Sequence, residues 1–332
     1  MTCFQSFKYL YLLSILLVSM AFSGLAPTAV ILNDNFPGSI TSSTNWYIPT
    51  WVSPTDGTFL GQTQFRCSQN SALPPASNNN VTISVQTYNP TGYSFYGTDL
   101  ISKQLIPLGQ GIDIVIRAKV NTTTPGIVAG IFLYALEPGS NTIHDEIDFE
   151  LLTNTPNYVH TNVYSDEALG VGNPLAVPYA AGNINDYHTY EIIWMPDRVI
   201  WLVDGTPIRQ ETSHVPTGAM NLHLNMWVPG SEWPNAYSPY LYPTSSAGSN
   251  QIHSMSVNLI NVQSVPSVTV LSNIVLSPLT SYLSVGQNTQ QLTAYPLDQD
   301  NQLIAANITW KSNNTSVATV NSSGLVTSHW RY

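Results

Sequence analysis

Charge is scarce in this 332-residue chain: Asp, Glu, Lys and Arg make up 8% of it, with nine basic residues against nineteen acidic ones. So few basic groups cannot neutralise a run of phosphates, which excludes a nucleic-acid partner. Cysteine is nearly absent. Of the two present, Cys3 lies at the extreme N-terminus and Cys67 stands alone, so neither a disulfide framework nor a cysteine metal site is expected. The seven histidines lie far apart without ligand spacing and read as ordinary polar or core residues. Only one long apolar run occurs, Tyr9 to Ala21, preceded by Lys8 and followed by the small-x-small sequence Ala21-Phe22-Ser23. It reads as a signal peptide over residues 1–23, hence a secreted, extracellular protein. Membrane association is expected only if that segment stays uncleaved.

Helical periodicity is also missing. In its place are short alternating runs bounded by Gly, Pro and Asn, such as Val81 to Val85, Ile112 to Ala118 and Ile192 to Trp194. These are the marks of an all-β sandwich. Asp204-Gly205 between Val199–Val203 and Thr206–Ile208 predicts a tight hairpin, because Gly tolerates the positive φ that such a turn needs. Residues 30–262 therefore read as one antiparallel domain. A Ser, Val and Pro stretch marks a linker over 263–273, and a second β segment fills 274–332.

The segment carrying chemistry is His144-Asp145-Glu146-Ile147-Asp148-Phe149-Glu150-Leu151-Leu152. Alternation puts Glu146, Asp148 and Glu150 on one face of a strand and Ile147, Phe149 and Leu151 on the other. Three neighbouring carboxylates repel one another, which a sheet does not adopt for stability. An acidic exposed edge is one explanation. Two-carboxylate glycoside hydrolysis is the other: a retaining enzyme needs carboxyl groups roughly 5–5.5 Å apart. Long Glu side chains leaning together over a curved sheet, with a shorter Asp between them, suit that spacing.

The Glu-Ile-Asp-Phe-Glu strand resembles the catalytic strand of glycoside hydrolase family 16, and the likeness continues through Tyr96-Gly97, Pro125 to Leu133, Thr161-Asn162-Val163-Tyr164, Tyr187 to Trp194 and Val203 to Arg209. The resemblance implies a concanavalin-like β-jelly roll with Glu146 as nucleophile, Glu150 as general acid/base and Asp148 as the carboxylate that tunes them. It implies a retaining endo-β-glucanase acting on a polysaccharide such as mixed-linkage β-1,3-1,4-glucan. The alternatives are a transglycosylase acting on xyloglucan-like glucan and an inactive lectin-like protein. The unbulged spacing is that of lichenases and xyloglucan endotransglucosylases, not laminarinases. Tyr164, Trp227 and Trp233 are the candidate sugar-binding aromatics, since flat rings stack on pyranose faces; Trp46, Trp51, Trp194 and Trp201 read as structural. No cofactor is required. A structural calcium ion is compatible with the family, although Asn258 stands where many relatives carry Asp. A monomer is expected. Finally, Ile308 to Val320 and Gly324-Leu325-Val326-Thr327 resemble the group 2 bacterial immunoglobulin-like domain, here read as truncated.

Overall fold

Alternating runs become strands with one side chain in two buried. The computed structural model describes residues 29–41, 44–50, 63–69, 71–92, 94–168, 170–265, 273–281, 283–284, 288–297, 303 and 306–329. The expected signal peptide and Trp51 lie outside them, as do residues 266–272 of the expected linker. Among the described residues no helix is long and apolar enough to cross a membrane. Two units divide between Val265 and Pro266.

In the first unit the strands are β1 (Val30–Asp34), β2 (Trp46–Tyr47), β3 (Thr63–Phe65), β4 (Val81–Gln86), β5 (Phe95–Ile106), β6 (Ile112–Val120), β7 (Val128–Leu136), β8 (Ile143–Leu152), β9 (Tyr158–Ala168), β10 (Leu175–Pro178), β11 (His188–Met195), β12 (Arg198–Val203), β13 (Thr206–Glu211), β14 (Met220–Trp227) and β15 (Ile252–Ser264). They run in the order β10-β9-β8-β7-β14-β5 and then β4-β15-β6-β11-β12-β13. The join is β5, which pairs along most of its length with β14 and touches β4 only at Tyr96 opposite Gln86. The two halves face each other as the layers of the expected all-β, jelly-roll sandwich.

The core between the layers follows from the pattern. In β6, Ile112, Ile114, Ile116, Ala118 and Val120 are buried while the residues between them are half-buried. From β8 the core takes Ile147, Phe149 and Leu151, and Phe149 meets Tyr190 of β11 edge-on at 5.3 Å. Full burial of a side chain such as Phe149 is worth roughly 1.5–3 kcal/mol. Trp46, Trp194 and Trp201 are fully buried, as expected of structural residues. Their indoles hydrogen-bond inside the protein: Trp46 to the Asp34 carboxylate, Trp194 to the Pro216 carbonyl and Trp201 to the Asp148 carbonyl, at 2.8–2.9 Å.

The Asp204-Gly205 hairpin forms with Val203 opposite Thr206, and both turn residues have positive φ, 50° and 74°. That is the two-residue turn whose twist matches the flanking strands. Asp204 accepts from the Thr189 amide at 2.9 Å and meets His188 Nδ1 at 2.6 Å, tying the turn to β11.

The second unit contains β16 (Asn273–Ser277), β17 (Thr289–Gln291), β18 (Thr293–Leu297), β19 (Ala318–Val320) and β20 (Leu325–Ser328). They form two small antiparallel sheets, β16-β18 and β17-β20-β19. Gly324 turns the chain from β19 into β20 at φ 84°, and a Cβ there would come within 2.8 Å of the Trp310 ring. Glycine is required at that position on both counts.

Candidate active site

Burying Ile147, Phe149 and Leu151 turns Glu146, Asp148 and Glu150 to the opposite, partly open face of the first layer. The β7–β8 ladder is regular across all three: Glu146 pairs with Tyr134, Asp148 with Phe132 and Glu150 with Gly130. On the other side the partners are Tyr164, Asn162 and His160 of β9. The strand is thus unbulged through the acidic run, and a register shift appears only before it, between His144 and Glu146 against β9. Three rows of side chains therefore cross the sheet, each centred on one carboxyl group.

The electrostatics separate the three. Glu150 still opens partly to the face, yet the surrounding protein and the charge of Glu146 push its pKa up to about 8. It therefore holds a proton at neutral pH. Asp148 is buried; burial, then the charges of Glu146 and Glu150 and a hydrogen bond with Glu146, raise it well above the usual carboxylate range, against the opposing charge of Arg209. Its Oδ1 is buried without a hydrogen-bond partner. One proton-holding acid lies at each of positions 148 and 150. Tyr134 and Tyr164 are each pushed up to about 12, by burial first and then by Glu146, and stay neutral.

Several residues that organise this face were given no role by the sequence, although His144, Gly130 and Arg209 lie inside the acidic and family-like segments. His144 stands beside Glu146, with Nε2 3.1 Å from Glu146 Oε2. Asn225 accepts from the Gly130 amide at 3.1 Å, and a Cβ on residue 130 would lie 2.5 Å from Asn225 Oδ1. His223 stacks on Phe132 at 4.8 Å and meets both oxygens of Asp99 at 3.1–3.2 Å. His160, kept neutral by burial, contacts Thr155 Oγ1 at 2.8 Å in the row of Glu150. Behind the strand, Arg209 lies 4.5 Å over the Trp201 ring and donates to Thr161 Oγ1 at 2.9 Å.

The three aromatic candidates divide. Tyr164 is in the row of Glu146 but only 6% exposed: its ring lies 4.5 Å from His144, Asn162 donates to its hydroxyl at 3.2 Å, and Gly172 passes so close that a Cβ there would be 2.7 Å from the ring. Trp227 and Trp233 lie together, 5.9 Å apart, beyond the row of Glu150, because Trp227 pairs with Val128, and Val128 with Leu152. Trp227 is buried and Trp233 half-buried, so Trp233 is the more open ring.

Among the described residues one cluster of carboxylates has the spacing of a cation site. Glu137, Asp145 and Asp166 bring carboxylate oxygens within 4.8 Å of one another. However, the Asp145 oxygens accept from the Asp166 and Gly218 amides at 2.9 and 3.0 Å. Glu137 shares a hydrogen bond with Asp166, which raises it. With both Asp145 oxygens already accepting from backbone amides, no cation is assigned to the cluster.

A proton-holding carboxyl separated from a second Glu by one buried Asp, on the open face of a jelly roll, defines an acid/base site on a β-sandwich scaffold. The chain belongs to the glycosyl hydrolases family 16, whose profile matches residues 61–244, while residues 266–330 match the bacterial Ig-like domain (group 2). A beta-glucanase of Bacillus subtilis (strain 168) is 31% identical over 158 residues, 47% of this chain and 54% of that one. Xyloglucan endotransglucosylase protein 7 of Diospyros kaki is 38% identical over 127 residues, 35% of this chain and 44% of that one. The chain spans about half the length of the curated relatives it matches. The crystal structure of a prokaryotic beta-1,3-1,4-glucanase (lichenase) from a mouse hindgut metagenome shares the fold, with TM-score 0.55 and 22% identity over 71% of this chain and 99% of that one.

Proposed function

We propose that the protein is a secreted, retaining endo-β-glucanase that cleaves β-linked glucan of the mixed-linkage type. The observation that carries this reading is the unbulged face of β8, on which Glu146, Asp148 and Glu150 stand in successive rows, with Glu150 pushed up to about 8 so that it keeps a proton at neutral pH. Glu146 attacks the anomeric carbon as the glycosidic C–O bond breaks, and Glu150 delivers its proton to the departing oxygen. A glycosyl ester on Glu146 results. Water then attacks that ester while Glu150 takes the proton back, which releases a β-configured sugar and restores both carboxyl groups. Asp148 hydrogen-bonds Glu146 and orients it. A site that tunes one carboxyl to donate a proton has a use in chemistry that a lectin lacks.

The xyloglucan endotransglucosylase name of one relative favours a second reading, in which a sugar hydroxyl replaces water in the second step. Release of products from barley mixed-linkage glucan, laminarin and xyloglucan, each with and without added oligosaccharide acceptor, separates the two. Proton NMR should show the β anomer first; initial α anomer would refute the retaining mechanism. Glu146→Gln should remove nearly all turnover while oligosaccharide binding survives. Substantial residual activity would overturn its role.

A further inference from the structure

His144 is 3% exposed and shares a strand face with Glu146. Its ring is clamped between Tyr164 at 4.5 Å and Tyr134 at 5.3 Å. Nδ1 lies 3.1 Å from the Thr142 carbonyl oxygen, and a carbonyl only accepts, so Nδ1 carries a hydrogen. That leaves Nε2, 3.1 Å from Glu146 Oε2 but not aligned for a good hydrogen bond, and buried with no other partner. In a neutral ring Nε2 would turn a lone pair on the carboxylate, and this buried nitrogen would stay unsatisfied. A second proton removes the repulsion and gives Nε2 a partner in Glu146.

The surroundings favour that proton. From β7 the facing titratable group is Tyr134; from β9 they are Tyr164 and Glu167, the latter opposite His144 in register and 3.3 Å from His214 Nε2. On β8 itself they are Asp145, Glu146 and Asp148. Burial by itself would depress the imidazole, but the Glu146 contact, the Thr142 carbonyl and the charges of Glu146 and Asp145 outweigh it and raise the ring above its ordinary value.

We propose that His144 is a positioning residue: as an imidazolium it holds the Glu146 carboxylate in attacking position, and its deprotonation contributes to the loss of activity at alkaline pH. No proton is transferred in the reaction by this ring. The inference rests on Glu146 being the nucleophile. Its test uses an aryl β-oligoglucoside with a good leaving group, whose cleavage needs no proton from Glu150. On that substrate the full-length wild type should still lose kcat/KM at alkaline pH. In His144→Gln, a neutral donor at every pH, the alkaline fall should disappear and the plateau should drop about 10- to 100-fold through misplacement of the carboxylate. His144→Phe, with no donor, should fall further. Nitrogen-15 NMR should find the ring doubly protonated at pH 6, titrating with the midpoint of the alkaline limb. Glu146→Gln should lower that midpoint by about one pH unit or more.

An unchanged alkaline limb in His144→Gln, or a neutral ring at pH 6, overturns the proposal. Turnover by Glu146→Gln on the same substrate would instead overturn the nucleophile assignment. A wild type inactive on every aryl oligoglucoside would overturn the glucanase reading, with the NMR titration still deciding the protonation of His144.

Discussion

Replacing Glu150 by Gln should remove activity on polysaccharide and, at alkaline pH, make the protein more stable. A carboxyl raised from 4.5 to about 8 on folding binds its proton more tightly in the native than in the unfolded state. Between these values the native state carries more protons, so stability declines as pH rises, reaching its full deficit above about pH 8. Below about pH 4.5 both states are protonated and the deficit vanishes. At 1.36 kcal/mol per pKa unit the full deficit is about 5 kcal/mol. Part of the side chain faces the open cleft, where water solvates the anion, and we take about half, roughly 2–3 kcal/mol. For a domain of this size that is on the order of 5–10 °C in Tm. Gln keeps the shape and cannot ionise. Thermal unfolding from pH 4 to pH 9 should therefore give superimposable wild-type and Glu150→Gln values at the acid end and a widening gap, in favour of the variant, towards pH 8. Parallel curves across the range would show that Glu150 ionises normally, and the assignment of the acid would fall with them.

Three further outcomes follow from other residues. Gly130→Ala drives a methyl group towards Asn225 Oδ1 beside the row of Glu150, and should cost about 1–3 kcal/mol in chemical denaturation while lowering kcat; an unchanged denaturation midpoint would refute the close packing. Trp201→Phe removes the donor to the buried Asp148 carbonyl, so about 1–3 kcal/mol should be lost, and a shift in the pH–activity profile should accompany it; full stability would mean the bond contributes nothing. A chain ending at Val265 should keep its turnover on soluble glucan, because no proposed site residue lies beyond Trp233, and loss of turnover would place part of the site after Val265.

The acidic strand was legible because one fact, alternation, fixes both its faces: Ile147, Phe149 and Leu151 had to go inward, and the carboxylates had to share the other side. The Asp204-Gly205 hairpin was legible for a similarly local reason. What could not be read was whatever depends on strands distant in sequence. His144 stood at the head of the acidic segment, but its role could not be read there, since the Tyr134 and Tyr164 rings that clamp it come from β7 and β9. Asn225 and Gly130 are 95 residues apart and meet only through the β14–β7 ladder. Nor does anything in residues 95–106 announce that one strand links both layers. A plausible signal was available for Arg209, a rare basic residue in a chain with so few, placed just after the hairpin.

The bond from Trp201 to the back of Asp148, with Arg209 resting on the same indole, means that the acidic strand is also held from its inner side, away from the open face. Arg209 draws the Asp148 carboxyl towards its ionised form from behind. Variation in the β12–β13 hairpin should therefore change the acidity of Asp148 without altering any residue on the open face. If the proposed mechanism holds, acidity and substrate choice become separately adjustable: a lineage could follow its environment by drifting at the rear of the sheet while the open face stays the same.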